Sequence, residues 1–352
     1  MTRDITPDRT TMDERELTRI IEENTGALPR SVRAKEDLLG KRLARYSIEK
    51  FIGRGATGDV FQGRHVYLDK IVAVKVLSPA LVDEYQEIVW RFVREGRAAA
   101  RVLHPNVAQI FDFDCFEGLY FLVMELVEGE ALGKILRDQG PMEEGRALRI
   151  LRRVMRGLRA AWVQGLVHRD VKPGNILIAP GDVVKVVDFG LARKLDEPPA
   201  SDIPERGLGT PRYCAPEQYE NSDAADQRSD IYALGATLYK MLTNRPPFTG
   251  TDIIELARQH REDPIQPPFE VNPRISGGAS DLVGWMMAKD PNDRPQSYDE
   301  LFGVLDELIG PREQWRAPSI RSAPPRPPAP IGGPAKAPPV SQSDPTRPLP
   351  HE

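Results

Sequence analysis

Cysteine is scarce in this chain. Its 352 residues hold two, Cys115 and Cys214, in apolar or turn contexts and without the spacing of metal ligands. That argues against a disulfide scaffold or a zinc module and for free thiols in a reducing compartment. Long apolar runs are lacking as well. Nothing approaches the ~18 residues of a membrane span. Asp4, Asp8, Asp13 and Glu14 near the start leave no apolar core for an export signal, so a cytoplasmic location is expected. An excess of one charge is also missing. The net charge is −4 and the pI near 5.9, which gives no global pull toward nucleic acid or an anionic membrane. What is present suffices for folding: 40% apolar residues can bury a sizeable core, in one large domain or two smaller lobes with tails.

Composition divides the chain. Residues 1–40 are polar, and Leu17, Ile20 and Ile21 recur there at helical spacing among acidic residues. A largely disordered arm is expected, with a short docking helix as the alternative. From Tyr46 the pattern becomes strand-like. Phe51-Ile52 leads into a glycine turn, Val60-Phe61 leaves it, and Ile71 to Val76 and Tyr120 to Met124 read as buried strands. Val82 to Val102 reads as a helix between them. Beyond Gly129 the period turns helical, with Leu148, Leu151, Met155, Leu158 and Trp162 on one face. Strands first and helices after predict an α+β fold of segregated layers. Residues 311–352 are proline-rich and nearly free of aliphatic side chains, so a disordered, extended tail is expected. Pro324 to Pro327 makes a Pro-x-x-Pro segment. A plain tail is the simpler reading and recruitment of a partner the alternative.

The chemistry concentrates in His168-Arg169-Asp170-Val171-Lys172-Pro173-Gly174-Asn175, followed by Asp188-Phe189-Gly190. Asp170 can take a proton from a hydroxyl, Lys172 can neutralise a phosphoryl group in transit, and Asn175 and Asp188 can hold a hard cation through oxygen. Upstream, Gly53-Arg54-Gly55-Ala56-Thr57-Gly58 lies between two strand-like runs, where bare backbone amides can approach phosphate oxygens. A dinucleotide fold needs a helix after the last glycine, whereas Val60-Phe61-Gln62 reads as a returning strand. Lys75 ends the apolar run Val72-Ala73-Val74, where a charge is costly unless paired.

These motifs, in this order, resemble the protein kinases, and Gly40 to Tyr46 with Ala215-Pro216-Glu217-Gln218 resembles the eukaryotic-like (Hanks-type) serine/threonine kinases of bacteria. The resemblance implies a two-lobed kinase fold over 46–309. Its N-lobe, about 46–124, would be an antiparallel sheet with one regulatory helix, and its mainly helical C-lobe would run over about 128–309. It implies that ATP, with Mg²⁺ or Mn²⁺, is bound by Ile52, Gly53, Gly55, Gly58, Val60, Ala73, Lys75, Glu95, Met124, Glu125, Val127 and Leu177, the metal sitting on Asn175 and Asp188. Glu95 would pair with Lys75. Glu125 would offer its carbonyl, and Val127 its amide and carbonyl, to adenine. Asp170, Lys172 and Thr210 would carry the transfer to a protein serine or threonine. Structural roles are implied for His168 beneath Phe189, for Asp230 accepting amides of the catalytic loop, and for Glu217 paired with Arg294. Two rival classes remain, a pseudokinase scaffold and a kinase-like small-molecule phosphotransferase.

The chain also departs from the family pattern. Thr57 replaces the usual large apolar residue at the glycine-loop tip. Ala99 stands where a bulky residue usually packs on the phenylalanine of Asp188-Phe189-Gly190, so a loosely packed helix is expected. Arg206 and Pro204 occupy the usual phosphothreonine positions of the activation segment. Asp202 or Glu205 is expected to replace a phosphate against Arg169, with phosphorylation of Ser201 as the rival. Gly174 and Lys240 stand where arginine-directed kinases place carboxylates, so no strong preference for basic substrates is expected. Arg146, Arg149, Arg152, Arg153, Arg156 and Arg159 line one helix, for which a solvated face is the plainer reading.

Overall fold

Alternation in two central strands sets the geometry of the upper lobe. The computed structural model describes residues 37–55, 57–84, 87–189, 193–194, 210–221 and 225–310. Strands β1 (Arg42–Leu43), β2 (Tyr46–Arg54), β3 (Gly58–His65), β4 (Ile71–Leu77), β5 (Ile110–Phe116) and β6 (Leu119–Met124) form one antiparallel sheet in the order β1-β2-β3-β4-β6-β5. Side chains alternate faces along a strand. Val72, Val74 and Val76 of β4, with Leu119, Phe121 and Val123 of β6, therefore share a face with Ile48 and Phe61. Tyr120 and Leu122 point the other way, against helix α2 (Glu87–Ala100), where Phe92 and Val93 are buried. Each such fully buried aliphatic or aromatic side chain contributes about 1.5–3 kcal/mol.

Over the run Val82 to Val102 the described residues are helical in α1 (Pro79–Glu84) and α2, and residues 85–86 lie outside the described set. The sheet also begins earlier than Tyr46. Leu38 is 5% exposed and joins Leu43 in its core. The alanines of α2 are not loosely packed. Ala98 and Ala99 lie in the core cluster that holds Val186 and Phe189, and a Cβ on Gly96 would stand 2.6 Å from Leu122 Cδ2. The small residues let the helix approach closely, in place of the bulk they lack.

The lower lobe comprises α3 (Leu132–Gln139), α4 (Glu144–Val163), α5 (Pro216–Glu220), α6 (Gln227–Thr243), α7 (Ile253–Glu262), α8 (Pro268–Val271), α9 (Gly277–Met286) and α10 (Tyr298–Ile309). Helix α4 buries Leu148, Leu151, Met155 and Leu158, the predicted apolar face. Glu143 caps it by accepting from the amides of Gly145 and Arg146. On its opposite side Arg146 pairs with Asp182, Arg149 with Glu143, Arg152 with Asp306 and Arg159 with Asp299. Helix α6 is buried all round and forms the axis of the lobe. Short strands pack on the helices of the lower lobe: β7 (Glu130–Ala131), β9 (Ile176–Ala179) and β10 (Val183–Val186) in one sheet, β8 (Leu166–Val167) and β11 (Arg193–Lys194) in another. Among the described residues no helix is long and apolar enough to cross a membrane.

Candidate active site

The sheet register assembles the upper wall of the cleft. Residues directly opposite in an antiparallel pair project on the same side. Val60 pairs with Lys75, Lys75 with Leu122, and Ala73 with Met124. Val60, Ala73, Lys75 and Met124 thus share the face turned to helix α2 and the lower lobe. At the glycine turn the amide of Gly55 donates to the carbonyl of Gly58 at 2.8 Å. A Cβ on Gly58 would lie 1.9 Å from the Val76 carbonyl oxygen, so only glycine fits this close approach. Ile52, ahead of the turn, is 47% exposed. Leu177, on β9, pairs in register with Ala131 and Lys185 in the small sheet below.

The segment from Met124 to Val127 joins the lobes. The amide of Glu125 donates to the Gln109 carbonyl at 2.8 Å, and Val127 accepts from Gly129 at 2.9 Å. The Glu125 carboxylate accepts from Lys185 of β10 at 2.7 Å and from the Gln109 amide at 3.2 Å. Sequence reasoning missed this bridge between hinge and β10, because the partners lie far apart in the chain and Lys185 belongs to no motif.

Below the cleft one buried carboxylate holds the catalytic loop. Asp230, at the first turn of α6, is 3% exposed and accepts from the amides of His168 (2.9 Å) and Arg169 (2.8 Å). Burial pushes its carboxyl above the usual range, against the pull of His168 and Arg169. Arg169 and Asp188 both adopt left-handed backbone, with φ of 66° and 59°. Such conformations cost about 1–3 kcal/mol and persist where surrounding bonds impose them. Gln218, the last residue of the Ala215–Gln218 motif and given no role there, helps to impose the first. It donates to the Arg169 carbonyl at 3.2 Å and accepts from the Ala215 amide at 3.1 Å.

Asp170 sits at the centre of the loop with both oxygens engaged. Oδ1 accepts from the Thr210 amide (2.8 Å) and hydroxyl (3.0 Å), and Oδ2 from Lys172 Nζ (2.6 Å) and Asn175 Nδ2 (3.1 Å). Lys172 also donates to Thr210 Oγ1 at 2.5 Å. The three residues expected to carry the transfer are therefore one hydrogen-bonded unit. Asn175 Nδ2 also donates to the Asp170 carbonyl at 2.9 Å, and among the described residues no donor reaches its Oδ1.

Across the cleft, Lys75 Nζ donates to Asp188 Oδ1 at 2.5 Å. Burial opposes ionisation of Asp188, yet Lys75, with His168 and Lys172 nearby, holds its carboxyl below the usual range. Glu95 is buried on α2, at 9% exposure. His168 is fully buried, its ring 4.6 Å from that of Phe189, in the structural place expected for it. Glu217 accepts from both terminal nitrogens of Arg294 at 2.8 Å, and Arg294 is itself fully buried. Burial would raise the Glu217 carboxyl, but Arg294 and the Ser229 hydroxyl bring it below the usual range. The acidic replacements expected at Asp202 and Glu205, with Ser201, Pro204 and Arg206, lie outside the described residues.

Comparison with known proteins agrees with this geometry. The protein kinase domain family matches residues 46–302. The chain is 38% identical over 299 residues to serine/threonine-protein kinase pkn3 of Myxococcus xanthus, covering 82% of this chain and 54% of that protein. It is 34% identical over 308 residues to serine/threonine-protein kinase PknH of Mycobacterium tuberculosis, covering 86% of this chain and 48% of the relative. A probable serine/threonine-protein kinase of Clostridium perfringens is 35% identical over 274 residues, 77% of this chain and 39% of its own. The chain thus spans about half the length, or less, of these curated relatives. With the two-lobed fold and the unit around Asp170, the family match places it plainly: the chain belongs to the protein kinase family.

Proposed function

We propose that this chain transfers the γ-phosphoryl group of ATP to serine or threonine hydroxyls of protein substrates, itself included. The observation that carries the reading is the Asp170 carboxylate, fixed by Thr210, Lys172 and Asn175 and facing a Lys75–Asp188 pair across the cleft. Asp170 orients the acceptor hydroxyl and takes its proton as the new P–O bond forms and the bond to the β-phosphate oxygen breaks. Lys172 lies within reach of the same oxygens and offsets the charge that spreads over the transferred group. Lys75, steadied by Glu95, holds the α- and β-phosphates, and the Gly53–Gly58 turn supplies amides to the triphosphate. Ile52, Val60, Ala73, Met124 and Leu177 enclose the adenine, which bonds to backbone groups of Glu125 and Val127. The contact of Lys172 with Thr210 favours an aliphatic hydroxyl over tyrosine as acceptor.

The donor set suits a divalent cation that prefers oxygen. Asn175 offers Oδ1 and Asp188 a carboxylate kept ionised, and no cluster of three or more His, Cys, Asp or Glu competes among the described residues. Mg²⁺, or Mn²⁺ in its place, screens phosphate charge when bound there. We place the domain at about 46–309 with its lead-in from Leu38, the polar arm before it and the proline-rich tail after it. We assign the chain to the cytoplasm.

The test offers labelled ATP to the purified chain with generic proteins and small phosphate acceptors, each in parallel. Label on serine and threonine of proteins supports the reading. Label on a small molecule alone selects the phosphotransferase. Nucleotide binding without any transfer selects the scaffold.

A further inference from the structure

Three cations lie on segments packed around the catalytic loop: α3 packs on the Pro173–Asn175 turn, and α6 on the turn Pro211–Tyr213 that follows Thr210. Arg212 lies in the turn Pro211–Tyr213, directly after Thr210, whose amide and hydroxyl bond Asp170. The Tyr219 hydroxyl donates to the Pro211 carbonyl and fixes that turn. Lys240 is in the last turn of α6, and its ammonium donates to the Asn244 carbonyl at the helix end. Arg137 is in the last turn of α3. The connection from α3 to α4 is fastened to α6 next to Lys240, where the Met142 amide donates to the Met241 carbonyl at 2.7 Å. Burial lowers the pKa of Lys240, and Arg137 and Arg212 lower it further, so the three charges share one neighbourhood.

Among the described residues the cluster has no counter-ion. Among the described residues no carboxylate forms an ion pair with Arg137, Arg212 or Lys240, whereas Arg146, Arg149, Arg152 and Arg159 on α4 each have one. Gly174, beside Asn175, contributes no acid either. A Cβ there would meet only the Lys172 side chain, at 3.7 Å, so the space is open to an acceptor chain. Cations crowded without counter-ions repel one another and attract an anionic ligand.

We infer that the acceptor groove selects segments with aspartate or glutamate close to the phosphorylated serine or threonine, through Arg137, Arg212 and Lys240. This rests on the reading of Asp170 as the group that receives the acceptor hydroxyl. The preference weakens with salt, since Arg137 and Arg212 are exposed.

The experiment uses the full chain and a peptide set with one threonine in a neutral host, carrying aspartate or lysine at each flanking position in turn. Expected is a rise of about 5-fold in kcat/KM for aspartate at one or more positions and a fall for lysine, as suits a partly screened pair. Lys240→Glu and Arg137→Glu should each erase or reverse the preference, mainly through peptide KM. Thermal unfolding checks that the variants fold, and the exposed Arg137 carries the test if Lys240→Glu does not. Equal use of aspartate and lysine peptides overturns the inference, as does a preference that survives both reversals. No label on any peptide, with autophosphorylation also absent, overturns the reading of Asp170 and this inference with it.

Discussion

Lys75 Nζ stands 2.5 Å from Asp188 Oδ1, joining the fourth strand of the upper sheet to a residue two positions past the last strand of the lower one. The lysine is nearly buried and the carboxylate about one-third exposed, so the pair borders the cleft. Lys75→Met and Asp188→Asn should each lower kcat/KM for protein phosphorylation by about 10²–10³-fold. The double variant should lose little more than the worse single one, because the two act as a unit. Additive losses in steady-state rates would separate their roles.

The Glu217–Arg294 pair should carry stability. Arg294→Met leaves a buried carboxylate without its partner and should cost about 3–5 kcal/mol in a urea titration. Because its folded pKa is lowered, Glu217 adds stability above the ordinary carboxylate range and loses it as pH falls through the folded value. Glu217→Gln should therefore flatten the acid limb of the unfolding curve.

His260 should make the fold sensitive to mild acid. It is fully buried, bonded to Tyr232 through Nδ1 and packed on Phe248, and burial, with Lys289 beside it, brings its pKa down to about 3. The unfolded chain binds a proton there below about pH 6.5, which the folded chain refuses. Stability is intact above that pH and declines below it. The contribution of this group between pH 6.5 and 5 is about 2 kcal/mol. Denaturant midpoints should fall over that range in the wild type and fall less in His260→Gln.

Gly58→Ala should disable the phosphate turn without unfolding the lobe. The new Cβ would collide with the Val76 carbonyl, part of the backbone of β4, so the turn must move. A displacement near 1 Å at a reacting centre costs about 10²-fold. Nucleotide titration and kcat should both report it, while the melting temperature changes little.

Much of this was legible in the sequence. The residues around Asp170 sit at fixed spacing, and the strands over Ile71–Leu77 and Leu119–Met124 announce themselves through apolar runs. The face of Leu148 to Leu158 is readable because α4 is long enough to repeat its period. Other features were hidden for physical reasons. Strands of two to four residues, such as Glu130–Ala131 and Ile176–Ala179, are too short for a period to appear. The Glu125–Lys185 bridge and the clustering of Arg137, Arg212 and Lys240 join distant segments, and only the fold brings them together.

The most direct test of the central claim compares the wild-type chain with Asp170→Asn, using labelled ATP and Mg²⁺, and reads the labelled amino acids after hydrolysis. Asparagine keeps the shape and the contacts with Thr210 but cannot take a proton. Phosphoserine and phosphothreonine from the wild type, reduced by about 10²–10⁴-fold in the variant, is the predicted result. Equal labelling by both proteins, or label on tyrosine alone, would contradict it.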